Sequence, residues 1–578
     1  MSRYVIIGAG AVGATLAAEL RSAGLPVVVV ARGANLDALR SNGLRYIRPD
    51  GERRVELDVV GGPAEVELAQ DDVLVLATKS QDTEEVTRAW AHAAHLPIVV
   101  VQNGLENERV ALRRFEHVYG AVVWVPSSHL RPGEVVSPGE PAAGALQLGR
   151  YPGGVDDRIH AIAEDFAKAG LITEVVPDIQ RWKAGKLFGN LVNGLDALYR
   201  PSPLRAAADR ALRREARIAL AAFEPTRYSP GLSIATIPGH ERGGSSTWQS
   251  LTRGAPPETD YLNGEIVLQA RLNGHRAPYN EALIERLRRA GDRPPGTLDD
   301  ADLLATLPDL ARRDVLVTAS ELHDLIEAGA APTLLDVRWA LGDPDGHRHY
   351  LDGHIPGAVY VDLDTELAGH GEPADGRHPL PDIAALQAAA RRWGVTTGKA
   401  VVAYDNSGGT AAARAWWLLK WAGVEDVRLL DGGLDAWRRK RSTVDVHPQA
   451  GDIVLTAGNL PTLTADQAAS VPVLLDARAA ERYRGEVEPV DPRAGHIPGA
   501  ISVPTAGNLA ADGTFRTTEE LRRRFAAFDG EVGVYCGSGV TAAHEIAALA
   551  VAGIPAALYP GSWSAWSNDP SRPVEVGE

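Results

Sequence analysis

The sequence predicts an α/β protein with several domains and parallel sheets. Its 578 residues exceed what one hydrophobic core normally serves, so about three or four domains are expected. Short β-branched runs such as VVVV at 27–30 alternate with longer Ala- and Leu-rich runs, which is the pattern of strands followed by helices. Four blocks of sequence beyond residue 314 each occur twice in the same order, which indicates two copies of one domain.

Composition excludes some classes of partner. The chain is 45% hydrophobic and 23% charged, as ordinary globular proteins are. Its formal charge of −16 argues against nucleic acid as a partner, because phosphate binding needs a basic face. No apolar run approaches about 18 residues, so no membrane partner is expected. Since the chain has a single cysteine and no signal-peptide pattern before its first strand, we predict a cytoplasmic protein.

The first predicted strand and helix are joined by a glycine-rich turn, IGAGAVG. Gly8 permits the tight turn, Gly10 lets the backbone approach a pyrophosphate, and Gly13 lets the helix pack closely on the strand. The helix that begins with Ala11 and Val12 would direct free N–H groups and the positive end of its dipole at phosphate groups. This segment therefore predicts a dinucleotide-binding Rossmann domain.

Three further polar residues follow predicted strands of the same domain. Arg32 follows the second strand, where an acidic residue would bind the ribose of NADH. An arginine suits the 2′-phosphate of NADPH instead, and a solvated surface arginine is the alternative. Lys79 and Asn103 follow two later strands. Because the carboxyl ends of parallel strands face the ligand crevice, we predict that all three residues line the NADPH site.

From about residue 165 the pattern becomes helical and carries a polar cluster. The stretch QRWKAGKLFGNLVNGLDAL places Lys186, Asn190 and Asn193 within about two turns of helix. A solvated helix face is the alternative interpretation of these residues. Hydride addition to a carbonyl creates an alkoxide, which a buried lysine of lowered pKa can stabilise and protonate. Lys186 is therefore a candidate catalytic acid.

Together with QNG at 102–104 and SSTWQSLTRGAPPETDYLNGEIV, these residues resemble the ketopantoate reductase family over about residues 1–292. The resemblance implies an NADP-binding Rossmann domain over residues 1–166 and a helical second domain over residues 167–292. In that family a lysine protonates the carbonyl oxygen while NADPH delivers hydride, which implies this role for Lys186. The resemblance further implies a catalytic contact of Glu258 with substrate, and substrate-binding roles for Asn103, Asn190, Asn193 and Ser246.

Some positions depart from the family's usual pattern. Asn190 and Asn193 are three residues apart where the family spaces its asparagines by four. Thr247 and Ser250 replace a methionine and an aspartate that are common in the family's SSM motif. The predicted substrate is therefore a small, ketopantoate-like 2-oxo acid, without a commitment to ketopantoate itself.

A Pro-, Asp- and Arg-rich stretch at 293–313 predicts a linker, and the repeated part of the chain follows it. About 130 to 140 residues separate the members of each repeated pair, which are LLDVRWA and LLDARAA, GHIPGAVYV and GHIPGAISV, VVAYDNSGG and VGVYCGSGV, and LLDGGLDAW and LYPGSWSAW. This period is too long for a solenoid. It fits two α/β domains with parallel sheets, at 314–447 and 456–578.

The only cysteine, Cys536, lies where a strand of the second copy meets a glycine-rich loop and a helix. Backbone N–H groups of such a loop and the helix dipole favour a thiolate at that position. A small buried apolar residue is the alternative interpretation of a lone cysteine. Asp405 occupies the same place in the first copy. Because a carboxylate cannot carry a sulfane sulfur, we predict that the first copy is inert.

The repeat, the GHIPGA blocks and the CGSGVT loop resemble the two-domain rhodanese family over about residues 315–578. The loop resembles that of the mercaptopyruvate sulfurtransferases. The resemblance implies that Cys536 attacks the sulfur of 3-mercaptopyruvate, giving a persulfide and pyruvate, and that Ser538, His354 and Asp345 form a relay. The substrate contacts implied by the resemblance are Arg482, Arg493, Gly537, Gly539, Val540 and Thr541.

Taken together, these features predict a bifunctional enzyme. A sulfurtransferase that uses 3-mercaptopyruvate or thiosulfate is fused to an NADPH-dependent reductase of a small 2-oxo acid. Because the chain has no second thiol, sulfur must leave Cys536 to an external thiol, a thioredoxin-type protein or cyanide. No metal is predicted, and a homodimer is one assembly that the sequence permits. The alternative is that the first module is a non-catalytic NADPH-sensing or docking domain that regulates the sulfurtransferase.

Overall fold

The computed structural model describes residues 2–226, 229, 231–240, 243–290 and 295–577. Contacts divide the chain into two compact units, Met1–Pro308 and Asp309–Glu578. The predicted fold class is confirmed, because parallel sheets covered by helices occur in both units and the first unit also has a helical part. No helix within the described ranges is both long and apolar enough to cross a membrane.

The first unit contains a large sheet, two small sheets and a set of helices. Its strands are β1 (Arg3–Ile7), β2 (Val27–Val30), β3 (Leu44–Arg48), β4 (Gly51–Val55), β5 (Asp58–Val60), β6 (Asp72–Leu76), β7 (Pro97–Val100), β8 (His117–Trp124), β9 (Glu134–Val136), β10 (Gly139–Glu140), β11 (Ala145–Arg150), β12 (Ile172–Val175) and β13 (Ser233–Ile234). Its helices are α1 (Ala11–Ser22), α2 (Gly33–Asn42), α3 (Thr83–Ala89), α4 (Asn107–Leu112), α5 (Asp157–Lys168), α6 (Ile179–Asn190), α7 (Asn193–Leu198), α8 (Pro203–Ala219), α9 (Ser246–Thr252), α10 (Asn263–Leu272), α11 (Pro278–Arg288) and α12 (Asp300–Thr306).

The large sheet has the strand order β12-β11-β8-β7-β6-β1-β2-β5. Neighbouring strands run parallel except β8 and β11. Strand β1 lies between β2 and β6, with Ile7 in register with Val30 and Leu76. The carboxyl ends of these strands therefore meet at one edge, at the point where the strand order reverses. Open α/β sheets bind their ligands at such a point.

The helical part of the first unit is built from α6 to α12. Helix α8 shows why the sequence folds this way, because Ala208, Leu212, Ala216 and Ala219 recur at steps of three or four and are all completely buried. Helix α10 packs against α8 and α11. The apolar stripe of α8 therefore supplies part of the core of this helical layer.

The segment predicted as a linker is partly helical. Helix α12 lies within it, and both Leu303 and the following Leu307 are completely buried. Asp299 caps this helix by accepting hydrogen bonds from the backbone N–H groups of Ala301 and Asp302, at 3.0 and 3.1 Å. Residues 293 and 294 of the predicted linker lie outside the described residues. The Pro- and Asp-rich composition thus marks a helix start as well as a boundary.

The second unit contains the repeated part of the chain. Its strands are β14 (Leu316–Val317), β15 (Thr333–Asp336), β16 (Val359–Tyr360), β17 (Val401–Tyr404), β18 (Val427–Leu430), β19 (Val473–Asp476), β20 (Ile501–Ser502), β21 (Val532–Tyr535) and β22 (Ala556–Leu558). Its helices are α13 (Leu310–Val315), α14 (Ala319–Glu327), α15 (Gly346–Asp352), α16 (Leu363–Glu366), α17 (Ile383–Arg392), α18 (Thr410–Trp421), α19 (Gly433–Ala436), α20 (Ala465–Ser470), α21 (Ala480–Tyr483), α22 (Thr518–Phe525), α23 (Thr541–Ala552) and α24 (Ser562–Asn568).

The two copies have matching parallel sheets. The first has the strand order β14-β18-β17-β15-β16, and the second has the order β22-β21-β19-β20, so β15 to β18 correspond to β19 to β22. Helices α18 and α23, which follow the equivalent strands β17 and β21, pack against each other and bury residues from both copies in one apolar cluster. The loops that precede these two helices are thereby brought to the boundary between the copies.

A buried ion pair follows the equivalent strands β15 and β19 in both copies. Asp336 pairs with Arg338 at 2.8 Å, and Asp476 pairs with Arg478 at 2.6 Å. Each arginine also donates to the carbonyl of the glycine in its own GHIPGA block, at 2.8 Å in the first copy and 2.7 Å in the second. The repeated LLDVR and LLDAR blocks therefore encode the same structural contact twice.

Candidate active sites

The glycine-rich turn of the first unit has the geometry of a phosphate cradle. A Cβ on Gly13 would lie 1.9 Å from the carbonyl oxygen of Gly8, so only glycine lets α1 approach the strand this closely. Gly8 has φ +113°, and a Cβ there would lie 2.9 Å from backbone atoms of Ala77. A Cβ on Gly10 would meet nothing within 4 Å, so this side of the turn is open. Helix α1 begins at Ala11, and no side chain of the described residues caps it. A dinucleotide pyrophosphate fits this arrangement.

Arg32 lies on the surface at the start of α2. Its side chain is 67% exposed, and its Nη1 atom lies 3.7 Å from Oε1 of Glu85. Exposed ion pairs of this kind contribute little to stability, so Arg32 can exchange Glu85 for a ligand phosphate at low cost. Its position after β2 fits the interpretation made from the sequence.

Lys79 and Glu258, predicted to contact cofactor and substrate respectively, contact each other. The ammonium of Lys79 lies 2.6 Å from Oε2 of Glu258. The backbone N–H and the hydroxyl of Ser80 both donate to Oε1 of the same carboxylate, at 2.9 Å. Glu258 thus joins the segment after β6 to the helical part of the unit, and both of its oxygens have protein partners. Sequence reasoning missed Ser80 in this cluster.

Asn103 and Asn190, both predicted to bind substrate, are hydrogen-bonded to each other. The Nδ2 atom of Asn190 donates to Oδ1 of Asn103 at 3.0 Å, which connects α6 to the loop after β7. The Asn103 carbonyl accepts from Nδ2 of Asn107 at 2.7 Å. Because Lys186 precedes Asn190 by four residues in α6, both side chains lie on one face of that helix.

Lys186 lies beside a cavity at the carboxyl end of β8. Its ammonium lies 3.5 Å from the centre of the Trp124 ring and donates no hydrogen bond to any residue that the structure describes. Burial lowers the pKa of Lys186 to about 8. The cavity of about 200 Å³ is lined by Val122, Trp124, Trp182, Gly185, Lys186, Phe188, Gly189, Arg213 and Thr226. A cavity of this volume can hold a small organic acid.

Asn193 differs from the prediction, because α6 ends at Asn190 and Asn193 begins α7. The two asparagines therefore do not share one continuous helix. Asn193 instead donates from Nδ2 to the hydroxyl of Ser246 at 3.3 Å, so two predicted substrate contacts are paired with each other. Ser246 is the first residue of α9, and α7 packs against that helix.

Sequence reasoning missed a buried ion pair in the same region. Lys183 is 5% exposed and Glu108 is 1% exposed, and the ammonium hydrogen-bonds to the carboxylate. Lys183 also donates to the carbonyl of Gln102 at 3.1 Å, directly before Asn103. Burial raises the pKa of Glu108, an effect that the charge of Lys183 opposes. Lys183 thus fixes the backbone that presents Asn103, three residues before Lys186 in the same helix.

Cys536 lies at the turn between β21 and α23. The N–H of Gly539 donates to its Sγ atom at 3.2 Å, and Cys536 exposes only 2% of its surface. Gly539 has φ +80°, and a Cβ there would lie 2.7 Å from the carbonyl oxygen of Pro560, so the tight loop requires glycine. Val540 is buried in the shared core, and Thr541 begins α23. The loop therefore aims a backbone donor at the sulfur, as predicted.

Asp405 occupies the place of Cys536 in the first copy and shows what the loop can hold. Its two carboxylate oxygens accept four backbone hydrogen bonds of 2.8 to 3.0 Å, from Ser407, Gly409, Ala411 and Ala412. Asp405 is completely buried. The same strand, loop and helix therefore form a cradle of N–H groups for an anion located one or two bonds beyond the Cβ atom.

The partner of Ser538 is His378, and the predicted relay is wrong in this respect. Nδ1 of His378 lies 2.8 Å from the Ser538 hydroxyl, and Nε2 lies 3.2 Å from Oδ1 of Asp364. Because a carboxylate only accepts, Nε2 carries the proton and Nδ1 accepts the serine hydroxyl. Burial and the charge of Arg414 lower the pKa of His378, which therefore favours the neutral imidazole.

His354 and Asp345 lie elsewhere. His354 is completely buried, stacks on Tyr350 with ring centres 3.9 Å apart and hydrogen-bonds to the Tyr350 carbonyl at 2.9 Å. His496, its counterpart in the second copy, stacks on Tyr483 in the same way at 3.7 Å. Asp345 is 49% exposed and pairs with an arginine of its own helix at 3.3 Å. The GHIPGA histidine is thus structural in both copies.

Of the two predicted substrate arginines, only Arg482 lies beside the loop. A Cβ on Gly537 would lie 3.4 Å from Nη1 of Arg482, which also pairs with Glu488 at 2.6 Å. The prediction for Arg493 is wrong, because its guanidinium is used elsewhere. It donates at 2.6 to 2.9 Å to the carbonyls of Trp566, Ser567, Asp569 and Arg572, and so holds the C-terminal segment in place.

Sequence reasoning also missed Arg414, which the first copy contributes to the boundary. It is completely buried, and within the described part of the chain its guanidinium donates to four carbonyls at 3.0 to 3.3 Å, those of Leu367, His378, Pro379 and Gly539. Burial lowers the pKa of Arg414 to about 10, and the charge of Cys536 opposes this shift. A buried cation that donates its hydrogen bonds to these neutral carbonyls favours an anion at the nearby sulfur.

Family models match the two units separately. In the first unit, the family model "Ketopantoate reductase PanE/ApbA" matches residues 4–153, and the model "Ketopantoate reductase PanE/ApbA C terminal" matches residues 232–290. In the second unit, the model "Rhodanese-like domain" matches residues 318–440 and 460–569. The crystal structure of a PanE/ApbA family ketopantoate reductase from Ralstonia eutropha JMP134 is similar over 50% of this chain and 97% of its own, with 25% sequence identity and a TM-score of 0.43.

Relatives of the second unit carry sulfurtransferase names. A Mycobacterium tuberculosis protein named "Putative thiosulfate sulfurtransferase SseB" is 52% identical over 280 residues, which cover 46% of this chain and 99% of that protein. A Pseudomonas aeruginosa protein named "Probable 3-mercaptopyruvate sulfurtransferase" is 45% identical over 266 residues, which cover 42% of this chain and 92% of that protein.

A cysteine in an amide-lined loop, at the boundary of two homologous α/β domains, defines a sulfurtransferase of the rhodanese type. The matches agree with this site, since both repeated domains match the rhodanese model and a close relative is covered almost completely. The chain therefore belongs to the rhodanese family of sulfurtransferases and carries a ketopantoate-reductase-like module before its two rhodanese domains.

Proposed function

We propose that the second unit transfers sulfur from 3-mercaptopyruvate, or with lower preference from thiosulfate, through a persulfide on Cys536. The Cys536 thiolate forms a bond to the donor sulfur while the bond between that sulfur and the methylene carbon breaks. The electron pair of the broken bond passes to the enolate of pyruvate, and the proton of the donor thiol is transferred to its carbon. The products are a persulfide anion and pyruvate, so atoms and charge balance. With thiosulfate, the leaving group is sulfite.

The position of Asp405 is the observation that carries this proposal. Its carboxylate oxygens, each two bonds beyond Cβ, hold four backbone N–H groups in the inert copy. The outer sulfur of a persulfide on Cys536 would also lie two bonds beyond Cβ. The equivalent loop can therefore stabilise that anion, and the buried guanidinium of Arg414 adds a positive charge nearby.

Ser538, His378 and Asp364 provide a path for the proton. The neutral Nδ1 atom of His378 accepts the hydroxyl proton of Ser538, whose oxygen is then free to accept the proton of the donor thiol. Asp364 orients the imidazole and stabilises its charged form. These contacts support a relay that carries the proton from the donor sulfur to the enolate carbon.

The sulfur acceptor lies outside the chain. Cys536 is the only cysteine, so no internal thiol can reduce its persulfide or form a disulfide with it. A small thiol, a thioredoxin-type protein or cyanide would accept the sulfur and regenerate the thiolate. A steady-state assay of sulfide release to dithiothreitol, with 3-mercaptopyruvate and thiosulfate as alternative donors, tests the proposal. If the Cys536→Ser variant releases sulfide from either donor at the full wild-type rate, the proposal is overturned.

For the first unit we propose reduction of a small 2-oxo acid with NADPH. The open turn at Gly10 would hold the pyrophosphate, and Arg32 would hold the 2′-phosphate. NADPH supplies a hydride when bound. Lys186, with its pKa of about 8, is protonated at neutral pH and can donate a proton to the alkoxide oxygen. The Asn103 and Asn190 pair lies one helical turn away and can orient the carbonyl.

A panel of 2-oxo acids tests the reductase proposal. NADPH oxidation by the full chain should be detectable with at least one of them, and the aromatic lining of the cavity by Trp124, Trp182 and Phe188 favours acids with an apolar side chain. The regulatory alternative makes a different prediction. If the module only senses NADPH, no acid will be reduced and NADPH will change the rate of sulfur transfer.

A further inference from the structure

A cavity of the first unit lies against the side of α6 that carries Lys186 and two glycines. Gly185 and Gly189, one helical turn apart, both line this cavity of about 200 Å³. A Cβ on Gly189 would meet nothing within 4 Å, so the helix leaves open space there. A Cβ on Gly185 would lie 1.8 Å from the carbonyl oxygen of Thr226, so only glycine lets the Thr226 segment approach α6 this closely. Because glycine weakens a helix, both positions are explained if a ligand uses the space.

The charges around the cavity favour an anion of single charge. Among the described residues of its lining, Lys186 and Arg213 are the charged ones, and both are cations at neutral pH. Asp209 pairs with Nε of Arg213 at 2.8 Å. Two cations and one carboxylate leave one positive charge, which a monocarboxylate would neutralise.

Arg213 retains hydrogen-bonding capacity for a ligand. In α8, Asp209 precedes it by one helical turn and accepts from Nε, at 2.9 Å through one oxygen and 2.8 Å through the other. Neither Nη group has an acceptor among the residues that the structure describes, and the side chain is 30% exposed, so a ligand can reach it. Asp209 holds the guanidinium in one orientation, which lowers the entropic cost of binding. The two Nη groups can then donate to both oxygens of a carboxylate.

Two residues that the family resemblance implies for substrate binding are engaged with each other. Asn193 donates to the Ser246 hydroxyl at 3.3 Å, and neither residue is part of the cavity lining that the structure describes. Lys186 is part of that lining, and in the proposed reduction it contacts the carbonyl oxygen that it protonates. The carboxylate of a 2-oxo acid is bonded directly to the carbonyl carbon. Both groups therefore belong in or beside the cavity that Arg213 lines.

We propose that this cavity selects the substrate of the reductase, with Arg213 binding the carboxylate of a monoanionic 2-oxo acid and the space beside Gly189 receiving its apolar side chain. Asp209 is a positioning residue for Arg213. The aromatic side chains of the lining supply apolar walls for a branched substrate. This inference rests on the proposed reduction and adds the residue that recognises the anion and the position that limits substrate size.

A neutral ester separates recognition of the carboxylate from general effects on structure. 4-Methyl-2-oxopentanoate and its methyl ester share the ketone and the side chain, and only the acid is charged. The experiment measures kcat and KM for both compounds as NADPH oxidation by the full chain. In Arg213→Met, KM for the acid should rise about 10-fold or more, and kcat/KM for the ester should change less than about threefold. If the panel favours another acid, that acid and its methyl ester are compared instead.

Further variants guard against a purely structural explanation. Arg213→Lys retains the positive charge and should recover part of the loss for the acid. Arg271→Ala removes an exposed arginine that pairs with Glu281 at 2.7 Å in the same unit, and it should behave as wild type. KM for NADPH should stay within about twofold of wild type in every variant. If Arg213→Met does not fold, the double variant Asp209→Asn/Arg213→Met removes both charges of the pair and permits the same comparison.

Gly189 allows an independent test of the cavity. Gly189→Leu places a side chain in the open space and leaves Lys186 and Arg213 unchanged. The ratio of kcat/KM for 4-methyl-2-oxopentanoate to that for pyruvate should fall about 10-fold or more. Gly189→Ala fills less of the space and should lower this ratio less. Alanine and leucine both favour a helix over glycine, so both variants should fold.

The outcomes distinguish this inference from the proposed reduction. Equal losses for the acid and the ester in Arg213→Met would show that Arg213 has a structural role. An unchanged size preference in Gly189→Leu would show that the substrate side chain lies outside the cavity. Either result overturns the inference, while the proposed reduction stands.

Binding provides a measurement that does not depend on turnover. If the wild-type chain reduces no acid, the proposed reduction fails, and titration calorimetry with 4-methyl-2-oxopentanoate in the presence of NADP⁺ tests the inference by itself. A Kd about 10-fold or more higher in Arg213→Met than in wild type would support the anion site. An unchanged Kd in Arg213→Met, or a wild-type chain that does not bind the acid, would overturn it.

Discussion

The imidazole of His378 and the hydroxyl of Ser538 lie 2.8 Å apart, although the two residues belong to different copies of the rhodanese domain. The first copy has Asp405 at the cysteine position and cannot form a persulfide, yet it contributes His378, Asp364, Arg377 and Arg414 to the loop around Cys536. The inert copy is therefore part of the active site. This division explains why neither copy is expected to transfer sulfur without the other.

Two histidine substitutions distinguish the observed relay from the one that the sequence suggested. His378→Gln should lower kcat for sulfide release from 3-mercaptopyruvate about 100-fold, because the proton path from Ser538 is lost. His354→Gln should lower the melting temperature, since His354 is buried and stacked on Tyr350, but it should leave kcat of the folded protein within about threefold of wild type. If His354→Gln lowers kcat more than His378→Gln does, His354 and not His378 acts in the relay.

The pH dependence of reduction reports on Lys186. Burial lowers its pKa from 10.5 to about 8, so the ammonium is present at neutral pH and is lost as pH rises through about 8. If Lys186 donates the proton, kcat/KM for the best 2-oxo acid should fall about tenfold per pH unit above that value. Lys186→Met should remove this alkaline limb along with most of the activity. If the alkaline fall in kcat/KM persists in Lys186→Met, another group titrates there and the prediction for Lys186 is wrong.

Arg32 should determine the choice between the two nicotinamide cofactors. Its guanidinium follows β2 and pairs with Glu85 at the surface, at 3.7 Å. Arg32→Ala should raise KM for NADPH about 10-fold, which corresponds to the loss of one charge-assisted contact, and should leave KM for NADH nearly unchanged. The measurement is the ratio of kcat/KM for the two cofactors. Equal changes in kcat/KM for NADPH and NADH would show that Arg32 does not bind the 2′-phosphate.

The buried pair of Lys183 and Glu108 should matter chiefly for stability. Lys183→Met leaves the Glu108 carboxylate buried without its cation and should lower the free energy of unfolding by about 3 to 5 kcal/mol. The double variant Lys183→Met/Glu108→Leu should recover most of this loss, because it removes both charges. Calorimetry of the full chain, following the transition that NADPH shifts, provides the comparison. Additive losses in the double variant would contradict this account.

Much of the fold could be predicted because local pattern and tertiary structure agree. The spacing of Gly8, Gly10 and Gly13 corresponds to three different steric environments in the turn. The repeated blocks correspond to equivalent strands and loops of two parallel sheets. The break between Asn190 and Asn193 was less visible, because both sides of the break are helical and only two residues separate them.

The relay was assigned wrongly because its members come from separate parts of the chain. His378 and Ser538 are 160 residues apart in sequence, and no local periodicity links them. The repeat itself held a usable signal. His354 recurs as His496 in the other GHIPGA block, and a histidine shared by the inert and the reactive copy indicates a structural role. His378 lies outside the repeated blocks, as a residue specific to one active site should.

The charged residues beside the loop at Gly537 were missed for a related reason. Asp491 and Arg377 meet only when the two copies pack together, so neither sequence neighbourhood suggests the contact. Arg493 was predicted because the family's second substrate arginine falls near that position, but its guanidinium is fully used by carbonyls of the C-terminal segment. A resemblance that is two residues out of step could not show which arginine lies beside the loop at Gly537.

The central claim is that Cys536 carries the sulfur, and mass spectrometry of the protein after one equivalent of 3-mercaptopyruvate tests it most directly. We predict that the intact chain gains the mass of one sulfur atom, that the gain maps to the peptide containing Cys536, and that one pyruvate is released per chain. Added dithiothreitol should remove the extra mass as sulfide. Pyruvate release at the full rate with no sulfur on that peptide, or from the Cys536→Ala variant, would contradict the account.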